Sequence, residues 1–310
     1  MMQILGSVPE LSQLSSPLFL AIGVFDGVHL GHQAVISTSA EHARAMNATP
    51  LVVTFDPHPD KILRPDKAPH LLTATPHKIA LIRALGVRHL LIIPFDKHFA
   101  ATEPEDFVEQ LVQHSKPLSE VCVGHEWSFG RNRRGNLQLL KKLGAQFDFN
   151  VVGIPPVTVN GEIVSSTRIR RAVEAGDLKK AATMLGREYT ILGTVVRGDD
   201  LGKKIGFPTA NLSAHSEQFP PNGVYFAEAR LDGVVYPGVV NLGCRPTMSS
   251  GRSDRILEVY LFDFDRDIYG KDLELRFVRY LRPEKKFENI DALVRQIERD
   301  VQQAHELAAV

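Results

Sequence analysis

Residues Gly23-Val24-Phe25-Asp26-Gly27-Val28-His29-Leu30-Gly31-His32-Gln33 follow directly on the apolar run Leu18-Phe19-Leu20-Ala21-Ile22. A buried strand turning into a helix here puts open backbone N–H groups and two imidazoles at one helix start, which suits the phosphates of a nucleotide. A His-x-x-His pair has three readings: two metal ligands, two surface residues, or part of a phosphate cradle. A zinc site needs three or four protein ligands, and the neighbouring sequence holds none to complete one. Gly27 and Gly31 favour the cradle, because glycine lets backbone approach an anion closely. The turn therefore points to an enzyme that handles ATP without a Walker loop, with Gly23, Phe25, Asp26 and Gly31 around its two histidines.

Ile163-Val164-Ser165-Ser166-Thr167-Arg168-Ile169-Arg170 ends a strand-like run and opens a helix. Ser165, Ser166 and Thr167 carry hydroxyls that can cap that helix and leave its N–H groups to a phosphate. Arg170 is either a bidentate phosphate clamp or a solvated arginine. Further on, Gly198, Gly202 and Gly206 recur at four-residue intervals before Pro208-Thr209-Ala210-Asn211. The spacing is not that of a Walker loop, since Lys204 stands where Ser or Thr would follow the lysine. The glycines alone read as a barrel corner. The Thr209 hydroxyl and the Asn211 amide oxygen, however, suit a hard cation such as Mg²⁺, whose other ligands are waters and phosphate oxygens. Glu258 alone reads as a solvated strand carboxylate. Asp263, Asp265 and Asp267 lack the glycine and terminal glutamate of a calcium loop and read as a polar turn.

The elements that must carry these residues divide the chain in two. Strands are expected at 18–24, 50–55, 89–95, 119–123 and 150–154, and helices at 31–46, 76–85 and 103–113. This alternation predicts a parallel sheet covered on both faces, with ligands beyond the carboxyl ends of its strands. Thr102-Glu103-Pro104-Glu105 reads as a capping box with proline near the helix start. Two short helices broken at Gly176-Asp177 and closed by Gly186 follow. From Tyr189 the texture changes to short β-like runs at 189–197, 223–231, 234–241, 255–263 and 272–280, which predict a small closed antiparallel barrel. From Asn289, Ile290, Leu293, Val294, Ile297 and Val301 keep helical spacing for a helix packed on that barrel. The expected domains are 1–186 and 187–310.

The chain of 310 residues has 36 basic and 36 acidic residues. No global field favours nucleic acid or an anionic membrane, so neither is expected as a partner. Two cysteines, Cys122 and Cys244, form no metal spacing and read as reduced thiols of a cytoplasmic protein. No apolar run approaches the roughly 20 residues that span a bilayer, and no signal peptide is recognisable. The oligomeric state is not written in the sequence.

His29-Leu30-Gly31-His32 and the Ser166–Arg170 helix start resemble the H-x-G-H turn and S-T-x-x-R-like start of nucleotidylyltransferases. Thr54-Phe55-Asp56-Pro57-His58-Pro59 and Gly124-His125-Glu126-Trp127-Ser128-Phe129-Gly130, followed by Arg131 and Gly135, narrow the likeness. They resemble bacterial bifunctional riboflavin kinase/FAD synthetases. Gly206-Phe207-Pro208-Thr209-Ala210-Asn211 is similar to the riboflavin kinase signature G-x-P-T-A-N. The likeness continues through Gly223-Val224-Tyr225, Asn241-Leu242-Gly243-Cys244-Arg245-Pro246-Thr247, Leu257-Glu258-Val259, Tyr269-Gly270-Lys271 and Leu281-Arg282-Pro283-Glu284-Lys285-Lys286-Phe287. It spans nearly the whole chain in the family's order.

The resemblance implies a Rossmann-like α/β nucleotidylyltransferase domain that transfers AMP from ATP to FMN. A β-barrel domain that phosphorylates riboflavin follows it. It implies Mg²⁺–ATP at Thr209 and Asn211, Glu258 as catalytic base, and Mg²⁺ with the first ATP mainly through ATP oxygens. His29 and His32 then stabilise charge in AMP transfer. The binding set is Gly23, Phe25, Asp26, Gly31, His58, Glu126, Trp127, Phe129, Arg131, Ser165, Ser166, Thr167 and Arg170 in the first domain, and Gly198, Gly202, Gly206, Pro208, Thr209, Asn211, Arg245 and Arg282 in the second. Riboflavin, FMN and FAD are substrates and products. Two positions depart from the pattern. Glu126-Trp127 replaces the usual Asp-Phe, so Trp127 is either a core residue or stacks on the flavin, and a kinase without adenylylation stays open. Tyr260 stands where the family often has histidine, and its side chain is expected on the strand face opposite Glu258. Adenylyl or cytidylyl transfer to another phosphate, and a flavin carrier or RNA-binding barrel without chemistry, are the competing readings.

Overall fold

The apolar runs of the first half become a six-stranded, all-parallel sheet: β1 (Gln3–Leu5), β2 (Leu18–Ile22), β3 (Thr49–Asp56), β4 (His89–Pro94), β5 (Leu118–Gly124) and β6 (Asn150–Ile154), in the order β1-β4-β3-β2-β5-β6. This computed structural model describes residues 2–198, 201–215, 218–245 and 254–309. Alternate strand residues feed two separate cores, as the two-residue period requires. Leu18, Leu20, Ile22, Leu51 and Val53 pack to one side, and Ala21, Val52, Leu90 and Cys122 to the other. Burial pushes the Cys122 thiol up to about 12, with Glu120 adding to the shift, so it is an inert core thiol. β1 is an edge strand too short to stand out in the sequence.

Helices α1 (Leu30–Ala45), α2 (Pro59–Leu63), α3 (Thr75–Ala84), α4 (Lys97–Ala100), α5 (Pro104–His114) and α6 (Leu137–Phe147) cover the sheet and its ends. A small hairpin, β7 (Thr158–Val159) and β8 (Glu162–Ile163), precedes α7 (Ser166–Glu174) and α8 (Leu178–Leu185). The expected capping box at α5 does not form. Pro104 takes the first helical position, which makes Glu103 the cap residue, and the Glu103 side chain makes no cap bond. The carboxylates of Glu103 and Glu105 pair instead with Arg131 and Arg134.

The second half is a closed antiparallel barrel of β9 (Thr190–Val196), β10 (Ala210–Ala214), β11 (Gly223–Leu231), β12 (Val234–Arg245), β13 (Asp254–Leu261) and β14 (Asp272–Arg282), in the order β10-β13-β12-β11-β14-β9. A short helix α9 (Leu201–Lys204) lies between β9 and β10, and α10 (Ile290–Ala308) ends the chain. The sequence predicts the closed barrel and the terminal helix but no strand at β10, which begins inside the Pro208-Thr209-Ala210-Asn211 stretch. Contacts divide the chain into one unit of residues 1–169 and 183–186, and another of 170–182 and 187–310.

Asn289 caps α10, its side chain accepting from the Ala292 amide at 2.8 Å. The helix docks through Val301, Ala304 and Leu307 on Phe226 and Phe262, whereas Ile290, expected on the packed face, is exposed. The deepest tie is ionic. Asp300, 4% exposed, receives Arg282 Nε at 2.9 Å and Nη2 at 2.7 Å. Removing one partner of a buried pair leaves the other charge uncompensated. Asp300→Ala is therefore expected to lower the stability of the barrel unit by about 3–5 kcal/mol in urea unfolding, with Arg282→Met/Asp300→Leu recovering much of the loss.

Candidate active sites

β2 lies between β3 and β5, where the sheet order reverses, so its carboxyl end opens on the crevice in which such sheets bind ligands. The strand stops at Ile22, and the chain turns sharply. Phe25 and Val28 adopt φ of 53° and 41°, and Gly27 86°. A left-handed β-branched residue is a genuine outlier, and such strain persists only where the surroundings hold it. Here they do. The Asp26 carboxylate accepts from the Leu72 and Thr73 amides at 3.2 and 2.9 Å, and the Gly27 amide donates to the Thr73 hydroxyl at 2.9 Å. Asp26 is thus a strut of the turn.

His29 caps α1, its Nδ1 accepting from the His32 amide at 3.3 Å. That bond puts the proton of a neutral His29 on Nε2. The two rings stack with centroids 3.5 Å apart. A Cβ at Gly31 would lie 3.2 Å from the His29 ring. Phe25 is buried and edge-on to His32, centroids 5.3 Å apart; it props the histidine from the core. Ser166 joins the turn by donating to the Asp26 carbonyl at 2.9 Å, and Ser165 receives the Arg168 amide at 3.4 Å. Thr167 is exposed. Arg170, further along α7, is grouped with the second unit.

A cavity of about 380 Å³ in the first unit is lined by Val24, Phe55, His58, Phe95, Phe99, Glu126, Trp127, Phe129 and Arg133, among others. Its walls are aromatic, with Trp127 stacked on Phe129 at 4.5 Å and 12°. Flat aromatic walls with a few polar groups suit a planar heteroaromatic ligand. His58 caps α2, Nδ1 accepting from the Asp60 amide at 3.1 Å. His58, Glu126, Trp127 and Phe129 thus converge. Arg131 does not line this cavity and pairs with Glu103, while Arg133 does line it, its Nε on the Ser128 hydroxyl at 2.8 Å. Spacing along a basic run cannot tell which arginine turns inward, so Arg133 was missed.

The second unit holds a cavity of about 460 Å³ lined by Gly202, Phe207, Pro208, Thr209, Asn211, Asn241, Glu258, Tyr260, Arg282 and residues of α10. Register explains the convergence: Asn211 pairs with Glu258 across β10 and β13, and Glu258 with Asn241 across β13 and β12. Tyr260 lines the same cavity as Glu258, contrary to expectation, because residues two apart on a strand share a face. A Cβ on Gly198 would overlap the Asn211 amide, and one on Gly202 the Phe207 carbonyl, with Thr209 Oγ1 at 3.0 Å. Gly206 has φ 88°. The backbone therefore wraps closely on Thr209 and Asn211, whose neutral oxygens fit a hard cation shared with phosphate. Arg282 reaches the cavity already bound to Asp300. Asp199, Asp200, Pro246, Thr247 and the side chains of Cys244 and Arg245 lie outside the described residues.

The FAD synthetase family model matches residues 11–168, and the riboflavin kinase model residues 185–308. The bifunctional riboflavin kinase/FMN adenylyltransferase of Escherichia coli K12 is 36% identical over 307 residues, covering 98% of this chain and 97% of that protein. Proteins of the same name from Buchnera aphidicola and Bacillus subtilis are 34% and 37% identical, covering 97% and 92% of this chain and 96% and 90% of their own. A solved structure from Streptococcus pneumoniae, named a macrolide-efflux protein, superposes with a TM-score of 0.80 at 27% identity, covering 96% of this chain and 97% of its own. Among the described residues here, no helix is long and apolar enough to cross a membrane.

The cap role of His29 has its own signature. His29→Ala is expected to cost about 1 kcal/mol in urea unfolding, whereas His29→Asn, a good cap, costs no more than a few tenths.

Proposed function

The chain belongs to the bifunctional riboflavin kinase/FMN adenylyltransferase family, and from that premise we propose two ATP-dependent steps at two separate centres. Riboflavin and ATP give FMN and ADP; FMN and a second ATP give FAD and pyrophosphate. The observation that carries this reading is the pair of distinct cavities, one aromatic beside the His29/His32 turn and one around Glu258, Thr209 and Asn211. We place the adenylyltransferase in residues 1–186 and the kinase in 187–310.

In the barrel, Glu258 accepts the proton of the riboflavin 5′-hydroxyl as that oxygen attacks the γ-phosphorus and ADP leaves. Asn211 and Asn241 lie beside it on the neighbouring strands and line the same cavity. Thr209 and Asn211 would hold magnesium, which when bound with ATP neutralises charge on the phosphates. Phosphoryl transfer of this kind depends on positioning and electrostatics, and base assistance adds about 10²–10⁴-fold.

In the first unit, the FMN phosphate attacks the α-phosphorus of ATP and pyrophosphate leaves. The nucleophile is already an anion, so no strong base is needed. His29 Nε2–H, His32 and the N–H groups at the start of α1 donate to the charge that builds on the phosphate. The flavin lies against Trp127, Phe129 and Phe55, with His58, Glu126 and Arg133 as polar contacts. Glu126-Trp127 thus keeps an acid and an aromatic wall on the cavity, which supports adenylylation. The balanced charge supports small-molecule substrates without nucleic acid or membrane, and the free cysteine Cys122 supports a cytoplasmic location.

With flavins separated chromatographically, Glu258→Gln is expected to lower FMN formation by about 10²-fold or more while added FMN still becomes FAD. His29→Ala/His32→Ala is expected to do the reverse, by about 10²–10³-fold. A folded variant that loses both reactions would contradict separate centres. Gly202→Ala, which forces a methyl group against the Phe207 carbonyl and Thr209, is expected to impair only the kinase, read as a raised KM for ATP and a reduced kcat.

A further inference from the structure

Lys78 belongs to no motif, yet it lies on α3 with 5% exposure. Lysine is almost never taken fully inside unless paired. Here Nζ donates to the Val24 carbonyl at 3.2 Å, the Thr54 hydroxyl at 3.1 Å and the Phe55 carbonyl at 3.2 Å, which accounts for all three of its donors. The Thr54 hydroxyl in turn donates to the Val24 carbonyl at 3.0 Å. Burial pushes the ammonium down to about 8, against the opposing fields of Asp26 and Asp56.

The three acceptors belong to two different walls of the adenylyl-transfer centre. Val24 stands between Gly23 and Phe25 in the strained turn that leads to His29. Thr54 and Phe55 lie near the end of β3, just before Asp56. Val24 and Phe55 also line the aromatic cavity. The segment that carries Lys78 makes the other ties as well: Leu72 and Thr73 to Asp26, and the Thr75 hydroxyl to Asp56 at 2.7 Å. Residues 72–78 therefore bind the nucleotide turn and the end of β3 to each other, and Lys78 grips both.

We propose that Lys78 is a positioning residue for FMN adenylylation, fixing the separation between the nucleotide turn and the flavin cavity so that the FMN phosphate meets the α-phosphorus of ATP in line. This rests on the reading that the first unit adenylylates FMN. Displacements of about 1 Å can cost about 10²-fold in rate. Both substrates keep their own contacts when the join slackens, so the loss falls on kcat.

The test uses the full-length chain with Lys78→Met and with Thr54→Val, which removes the hydroxyl between Lys78 and Val24 without emptying the site. Both reactions are followed in the same preparations, with the kinase as internal control. Lys78→Met is expected to lower the adenylylation kcat by about 10–100-fold, with KM for FMN and ATP changed less than about threefold and the kinase unchanged. Thr54→Val is expected to show the same kcat-selective loss to a smaller degree, and it carries the test if Lys78→Met does not fold. Unchanged adenylylation kcat with only a lower melting temperature would overturn the proposal, as would equal losses in both reactions or a loss confined to KM. A wild-type chain that makes no FAD from FMN would overturn the underlying reading too, which separates the two failures.

Discussion

The strained turn between β2 and α1 governs the first unit. Two non-glycine residues, Phe25 and Val28, are held left-handed so that backbone amides and two stacked imidazoles end up at one helix start. The chain would relax from this geometry without support, and the support is polar and wholly or partly buried: Asp26 gripped by the 72–73 amides, Ser166 on the Asp26 carbonyl, and Lys78 on Val24. Every one of these bonds comes from an element distant in sequence. A turn made this way is set by the parallel sheet that brings the elements together, with β2 at the point where strand order reverses.

The barrel solves a similar problem by register. Asn211, Glu258 and Asn241 are far apart in the chain but lie side by side on β10, β13 and β12. A slip of one residue would turn each to the other face, so closure of the barrel protects the site as well as the fold. Helix α10 completes the cavity wall, and the buried Arg282–Asp300 pair anchors it there.

Periodicity made most of this legible. The parallel strands, the barrel, the α7–α8 pair and the terminal helix followed from apolar spacing, and the histidine turn and the Thr209–Asn211 stretch from residue type. What failed to show depends on tertiary placement. Arg133 rather than Arg131 lines the cavity because two glutamates near the start of α5 engage Arg131 and Arg134. Those same pairings, with Pro104 at the first helical position, replaced the expected capping box. Tyr260 shares the face of Glu258 by the two-residue rule. Lys78 is invisible to pattern reading, since a lysine in an amphipathic helix is ordinarily on its wet side.

The central claim is a division of labour between two centres on one chain. Mixing equal amounts of Glu258→Gln and His29→Ala/His32→Ala, and following riboflavin with Mg²⁺ and ATP over time, tests it most directly. Each variant alone should fail to make FAD from riboflavin, and the mixture should make it, with FMN released by one chain and consumed by the other. A mixture as inactive as its components would contradict the account.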